Sequence, residues 1–418
     1  MAGLIATETT KALQTWACDQ HGALGGDRVA LGVTRDANEG VGAIATRDIA
    51  VGEHVLSVPA ALLLDAYAAQ EDPKLGPFLK RHKLCRPGGF YASADEEAWP
   101  VILLLALRAH NGPSSPYVNA LPGENDLDAA SCWTRGELDA LLPEYHPVRE
   151  RALAAQSERE TWAERAHAEL GLPQTLVRWA ASMFWSRALQ VPVNSRGQRA
   201  QTSAMTPFLD SLNHRAGQLH TLQVSDQGHV LLVAGHAIAS GDAVYINYGA
   251  KSNFDLLLHY GFVGPSCPED MSHFEMDGLV FKVRRGTPDL FVFPSGLLDA
   301  ARQTSRPSLD TAPASNVSSK APYQDLEPDD EDWVLYFCNL GNPNPTAAAE
   351  AAALQYLVQT VRQQLDASSK TVSTAAETGV GSVQSSRRKL ATMLYASEMR
   401  CLEAMLTASL RLARLIGV

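Results

Sequence analysis

Hydrophobic and polar positions change rhythm several times along this chain, and the changes divide it. Residues 10–20 carry apolar side chains at helical spacing, with Leu13 and Trp16 on one side. The stretch "GAIATRDIAVGEHVLSVPAALLL" then alternates as strands do, and Gly52 marks the turn between its two halves. From about Ala66 to Leu189 the pattern is helical and alanine-rich, interrupted by "RPGGF", "NGPSSP" and "LPGEND". Strand rhythm returns at 219–247, so roughly 120 helical residues split the β-structure. The pattern predicts an α+β fold. A β-rich domain spans residues 1–265, with a helical insertion at about 66–180. A mainly helical domain follows over 266–418. Two amphipathic stripes predict its helices, one through Leu354, Leu357, Val358, Val361 and Leu365, the other through Leu390, Leu394, Cys401, Leu402, Met405 and Leu406. The Pro/Ser/Asp-rich stretch at about 302–332 lacks apolar periodicity and reads as a mobile loop.

Composition narrows the function. The chain has 418 residues, 45% hydrophobic and 19% charged, which is ordinary globular composition. A formal net charge of −11 argues against nucleic acid as a partner and suits basic or lysine-bearing proteins. The six cysteines are scattered, with no CxxC, so no metal is expected. They read as reduced, mostly buried thiols of an intracellular protein. No apolar run reaches the ~18–20 residues of a membrane span, and "VILLLALRA" from Val101 reads as a core helix. The N-terminus has no secretory core with a cleavage site. The expectation is a soluble monomer of the cytoplasm or nucleus, with the chloroplast left open.

Four short stretches carry candidate chemistry. "GVGAIA", from Gly40, matches a dinucleotide-binding loop, but no buried strand precedes it and no helix follows. Its glycines still allow close backbone approach to a ligand. "TPFLDSLNHRAG" places Asp210, Asn213 and His214 within five residues. They could hold a polar ligand, or form an Asx-type turn with a surface histidine. "FWSRALQVP" reads as a helix carrying Arg187 that ends before a proline, and a lone arginine is usually a surface charge. "YINYGAKSNFDLLLHYGFV" holds two Tyr-Gly pairs, Tyr248-Gly249 and Tyr260-Gly261, with Asn253 between them. Packing alone could account for these pairs, since tyrosine suits strands and glycine ends them.

Taken in order, "NEGVGAIATRDIAVGEHVLSVP", "SPYVNALP", "SRALQ…TPFLDSLNH" and "VYINYGAKSNFDLLLHYGFV" resemble SET-domain protein methyltransferases of the Rubisco large-subunit type. The resemblance covers about residues 10–265 and extends more loosely to the C-terminal helices. It implies a β-rich SET fold with a knot-like core, a helical insertion, and a helical C-terminal domain that docks a folded protein substrate. It implies S-adenosylmethionine as methyl donor and a substrate lysine entering a narrow channel from the opposite face. Glu39, Gly40 and Val41 match the backbone segment that contacts the donor. Asn213 and His214 match the pair that binds its adenine and amino-acid ends. Tyr260 matches the catalytic tyrosine and Tyr248 a second channel tyrosine, with glycine neighbours that permit close backbone approach. Arg187 and Asp210 match positions at the substrate channel, and Asn253 a structural bridge within the knot.

Some residues depart from the family pattern. Leu222 stands where relatives often carry an aromatic residue, and Phe274 stands in for a further tyrosine. "LLPEYHP" lacks the usual glycine. Family members that methylate histidine tend to lose the tyrosine at the Tyr260 position, so its presence here implies lysine. A protein-histidine methyltransferase and a catalytically inert SET-fold binding module are the alternatives.

Overall fold

The computed structural model describes residues 4–34, 40–84, 94–112, 115–123, 126–142, 146–195, 198–264, 267, 271–276, 279–284, 291–292, 355, 358–366, 369 and 385–415. The chain forms two compact units that alternate along the sequence. The first takes Met1–Trp133, Glu150–Ala250 and Leu258–Phe262; the second takes Thr134–Arg149, Lys251–Leu257 and Val263–Val418. Residues 302–332, expected as a mobile loop, lie outside the described residues.

In the first unit, β1 (Leu4–Ile5) precedes α1 (Glu8–Thr15), which Thr7 opens through a reciprocal capping box with Thr10. Leu13 of α1 is buried, as its spacing predicts. Strands β2 (Val29–Thr34) and β3 (Val41–Ala45) join β1 in an antiparallel sheet of order β1-β2-β3. Strand β4 (His54–Val58) follows the turn at Gly52, whose φ of +80° is the left-handed conformation glycine adopts without strain.

The helical insertion begins with α2 (Ala66–Glu71), N-capped by Asp65, and α3 (Leu75–Arg81). Helix α4 (Ala94–Asn111) follows, and its residues from Ala98 to Leu107 are all buried. A helix apolar on every side belongs in the middle of a core. No helix among the described residues is long and apolar enough to cross a membrane. After α5 (Pro116–Ala120) and α6 (Arg135–Leu141) come α7 (Pro147–Leu170) and α8 (Gln174–Arg187). Helix α8 packs against α4, and Trp99 of α4 stacks on Trp162 of α7 with ring centroids 5.4 Å apart.

A hairpin absent from the sequence reading follows: β5 (Leu189–Ser195) pairs antiparallel with β6 (Gln198–Ala204). Strand β6 is too polar to show an apolar alternation. Pro192 sits opposite Gln201 in a two-stranded sheet, where a missing N–H is tolerated. The buried carboxylate of Glu97 on α4 anchors β6 by accepting from Thr202 Oγ1 (2.8 Å) and the Ser203 N–H (2.6 Å).

The strands expected at 219–247 form as β8 (Thr221–Val224), β9 (Val230–Val233) and β10 (Tyr245–Ile246). β9 lies between β4 and β8. β10 pairs in parallel with β7 (Asn213–His214), in the register Tyr245↔Asn213 and Ile246↔His214. The residues just before β10 bond to β3, through Val244 N–H to Ala43 and Ala45 N–H to Asp242. One strand therefore links β3 to the Asn-His segment.

In the second unit, Thr134 and Glu137 make a reciprocal capping box at the start of α6. Short α9 (Asn253–Asp255) is capped by Ser252 and continues as a π-helical turn, Leu256–Tyr260, whose last three residues belong to the first unit. Strands β11 (Met271–Met276), β12 (Leu279–Arg284) and β13 (Phe291–Val292) form an antiparallel sheet. Residues 358–366 form α10, burying Val358 and Val361. The last helix, α11 (Ser385–Leu415), buries Leu394, Cys401, Leu402 and Met405 of the expected stripe. It also buries Arg387 on Glu137, and Glu398 against His146 at 3.3 Å. These pairs fasten α11 to the segment around α6.

Candidate active site

The sequence "TPFLDSLNH" crosses the core of the first unit through a strained turn. Phe208 is fully buried at φ +79°, ψ −52°, close to the rare γ-turn conformation that a bulky side chain seldom adopts. Such strain costs about 1–3 kcal/mol and persists only where surrounding packing enforces it. The turn leads into a short 3₁₀ segment, Leu209–Ser211, which sets Asp210 inside the protein at 4% exposure. Asn213 and His214 follow on β7, half-buried rather than at the surface.

His214 is fixed by the strand beside it. Its Nδ1 accepts the backbone N–H of Tyr248 at 3.1 Å, which assigns the ring proton to Nε2. Burial pushes the imidazole pKa down against a smaller opposing effect of the Ile246 carbonyl, so the ring is neutral at pH 7.

Four rings gather there. Tyr248 lies 5.0 Å from His214 and stacks on Tyr260, with centroids 5.0 Å apart and planes 25° from parallel. Phe262 stands 6.2 Å from His214 and edge-on to Tyr260 at 6.4 Å. The Tyr248 hydroxyl turns inward and donates to the Leu212 carbonyl at 2.8 Å. Burial pushes its pKa up to about 12, so it remains a neutral phenol; Arg187 pulls the other way and the charge of Asp210 adds to the rise.

The two glycines beside these tyrosines serve different ends. Gly261 has φ +77°, and a Cβ there would lie 2.6 Å from the Ala129 nitrogen, so the backbone approach is as close as expected. Gly249, at φ +98°, has no atom within 4 Å of a Cβ position. It is required for its backbone conformation, and the close approach expected at both positions exists only at the second.

Arg187, the last residue of α8, donates from its guanidinium to the Asp210 carbonyl at 3.0 Å. The Asp210 carboxyl accepts the Tyr117 hydroxyl through Oδ2, and its Oδ1 is buried. Burial raises the Asp210 pKa from 3.8 to about 6, although Arg187, the Tyr117 hydroxyl and the backbone of Thr206 and Asp210 all act to lower it. Tyr117 itself is pushed well above the ordinary phenol value, first by burial and then by the Asp210 charge.

Gly40 is exposed with φ +61° and open space around it, and Val41 begins β3, which runs beside β7. Glu39 lies outside the described residues. Asn253 is fully buried in the second unit; it bonds both the N–H (2.8 Å) and the carbonyl (3.1 Å) of Gly264 and the Ser397 hydroxyl (2.9 Å). Leu222 packs half-buried against the core opposite Leu232, and Phe274 lies on β11 opposite Phe281. Among the described residues, no group of three or more His, Cys, Asp or Glu could hold a metal ion.

Two residues of this cluster were not singled out from sequence. Phe262 follows the second Tyr-Gly pair, and its ring was legible within "YGFV". Tyr117 lay in plain view in "SPYVNALP", but nothing in a linear reading connects it to Asp210, 93 residues away.

No protein-family model matches the chain. It is similar in sequence to actin-histidine N-methyltransferases. The Mus musculus protein is 28% identical over 233 residues, covering 54% of this chain and 38% of that protein. The Drosophila melanogaster protein is 27% identical over 259 residues, covering 55% and 45%. The chain thus spans less than half the length of these relatives. Among solved structures, the SET domain of LSMT bound to methyllysine and AdoHcy superposes with a TM-score of 0.66 at 18% identity, covering 99% of this chain and 94% of that one. Rubisco LSMT bound to AdoMet gives 0.63 at 17% identity, covering 98% and 93%. At these identities the likeness establishes the fold: this chain has the SET-domain architecture of those structures.

Proposed function

We infer that this chain is a protein methyltransferase that takes its methyl group from S-adenosylmethionine and delivers it to a lysine amine. The observation that carries the reading is the stack of Tyr248 on Tyr260 beside a neutral, positioned His214. The donor supplies an electrophilic methyl on a sulfonium sulfur. The residues present suit it: the open, left-handed backbone at Gly40, the start of β3 at Val41, and half-buried Asn213 and His214 on the adjoining strand. Neutral His214 can donate its Nε2–H there without repelling a sulfonium charge. Phe262 adds an apolar face to the same cluster.

On the substrate side, the Tyr248 and Tyr260 faces would contact the methylene groups and favour a cationic nitrogen over them. A neutral Tyr248 phenol keeps lone pairs available to orient an N–H. Holding nitrogen and methyl in line can supply a large part of the rate. Arg187 and Asp210 shape the base of this channel. The amphipathic helices of the second unit would dock the protein that bears the lysine, and the net charge of −11 suits a basic docking partner.

The names of the sequence relatives favour a second reading, histidine as acceptor. Tyr260 supports lysine, because the family's histidine-directed members tend to lose that residue. The test is methyl transfer from labelled S-adenosylmethionine to actin, to Rubisco and to proteins of a cell extract, with mass spectrometry of the modified residue. Methyl-lysine is expected, and methyl-histidine would transfer the assignment to the second reading. Tyr260→Phe should keep donor binding by calorimetry and lose most transfer. An unchanged rate would remove Tyr260 from catalysis, and absence of donor binding by the wild type would leave an inert SET-fold module.

A further inference from the structure

Arg159 of α7 is buried, at 6% exposure, and among the described residues no carboxylate pairs with it. Its Nε and Nη2 are buried and make no hydrogen bond there. Neighbouring Glu158 accepts the Trp99 indole N–H at 2.7 Å instead. A buried guanidinium without a counter-charge is costly and calls for an explanation. The remaining nitrogen, Nη1, is aimed at one place. It donates to the Ser131 carbonyl at 3.0 Å, to the Ser182 hydroxyl at 3.3 Å and to Cys132 Sγ at 3.7 Å. The Ser131 hydroxyl stands 3.9 Å from the same sulfur. Cys132 ends the 3₁₀ turn Ala130–Cys132 and, unlike Arg159, keeps part of its surface exposed. Two other half-buried cysteines are placed differently. Burial and the charges of Asp19 and Asp27 push the Cys18 thiol up, against a smaller effect of the Gly26 backbone. Cys267 donates to the Lys251 carbonyl at 3.0 Å. Cys132 is the one of these three with a cation on its sulfur.

We propose that Cys132 is an oxidation site, a thiol that reacts with hydrogen peroxide while its sulfur serves as the counter-charge of Arg159. The thiolate is the nucleophile in such a reaction, and an adjacent guanidinium favours it. The sulfur gives up its proton to solvent and attacks one peroxide oxygen. An S–O bond forms, the O–O bond breaks, and the hydroxide that leaves takes up the proton as water. Sulfur is oxidised by two electrons, peroxide is reduced by two, and the product is a sulfenic acid that a thiol reductant returns to the thiol. The turn that carries this sulfur also backs the ring cluster. The Cys132 N–H donates to the Ala129 carbonyl and the Trp133 indole N–H to the Asp128 carbonyl, both at 2.8 Å. Gly261, between Tyr260 and Phe262, is pressed against that same 128–129 backbone. An added oxygen on Sγ, beside buried Ser131 and Ser182, shifts the turn and with it the wall behind the tyrosine stack. Oxidation therefore slows methyl transfer, a consequence that rests on the methyltransferase reading.

Two measurements on the full chain test this. The first treats the protein with hydrogen peroxide and dimedone, which traps sulfenic acid, and follows each cysteine by mass spectrometry. Cys132 should be trapped about tenfold faster than Cys18 or Cys267. Equal rates, or no trapping at Cys132, overturn the proposal. Arg159→Gln should bring the Cys132 rate down to that of Cys18. Gln156 keeps the turn anchored in that variant, because its side-chain amide donates to the Ser131 and Trp133 carbonyls at 3.3 and 2.8 Å. An unchanged rate in folded Arg159→Gln overturns the proposal, and if that variant does not fold, the comparison among wild-type cysteines still decides. The second measurement is labelled methyl transfer to cell-extract proteins. Peroxide should lower it in the wild type, dithiothreitol should restore it, and Cys132→Ser should resist the loss. Equal loss in Cys132→Ser overturns the coupling to the stack. A wild type that transfers no methyl before oxidation fails the functional reading, and the trapping rates still decide the assignment of Cys132.

Discussion

Replacing Asp210 by Asn should stabilise the protein at neutral pH. The carboxyl is held at a pKa of about 6 against an ordinary 3.8, so its ionised form is disfavoured in the fold by about two pH units. At 1.36 kcal/mol each, that is about 3 kcal/mol. The sign follows from the folded value lying above the unfolded one. The stability held by the protonated group is fully present below about pH 4 and is lost as pH rises through 6. Asparagine does not titrate, and its carbonyl oxygen can still accept the Tyr117 hydroxyl. The variant and wild type should therefore unfold alike near pH 4. A gap should open between pH 4 and 6 and then stay constant, with the variant more stable by about 3 kcal/mol at pH 8. Equilibrium denaturation at a series of pH values reads this directly. A pH-independent difference, or a less stable variant at pH 8, would show that burial does not disfavour the charge. A variant that gains stability and loses methyl transfer marks a residue kept for function at the expense of the fold.

Other substitutions separate the contributions of neighbouring residues. Gly249→Ala should cost about 1–2 kcal/mol, the penalty of a left-handed backbone alone. Gly261→Ala should cost more, about 3 kcal/mol or above, because the new Cβ would meet the Ala129 nitrogen at 2.6 Å; equal losses in denaturation would contradict the distinction. Asn253→Ala removes both Gly264 bonds and the Ser397 bond from a buried site and should destabilise the second unit by about 3 kcal/mol, read from hydrogen exchange in α11. Glu97→Ala leaves the Thr202 hydroxyl and Ser203 N–H buried without that acceptor and should cost about 2–4 kcal/mol; a loss below 1 kcal/mol would mean β6 does not depend on it.

What the sequence made legible follows the range of the interactions involved. Strand β8 alternates along its length, while β4 and β9 are short, almost continuously buried apolar runs, and both patterns are written in the chain. The β5–β6 hairpin has no such record, because Glu97 satisfies its polar strand from 105 residues away. Thr134 and Glu137 can be read as a local capping box. Nothing local shows that Glu137 also meets Arg387, 250 residues on, and so ties α6 to the last helix. The same division holds at the site. Asn213, His214, Tyr248 and Tyr260 lie in two short motifs and could be named from them. The Tyr117–Asp210 pair is a product of folding, joining residues 93 apart in the chain.

The Tyr-Gly pairs show why a motif can be right for a reason it does not state. Both glycines have positive φ, yet only Gly261 is pressed against another backbone, at residues 128–129. That contact lies between Tyr260 and Phe262, the two rings that complete the cluster. Any side chain at 261 would have to push the 128–129 backbone away or move the rings on either side of it. Gly249 has no comparable neighbour, and Tyr248 is instead held through its own N–H on His214 and its hydroxyl on Leu212. One tyrosine is therefore positioned by its hydrogen bonds and the other by the absence of a side chain beside it. Their 5.0 Å stack depends on both devices, so loss of either should separate the rings before it unfolds the domain.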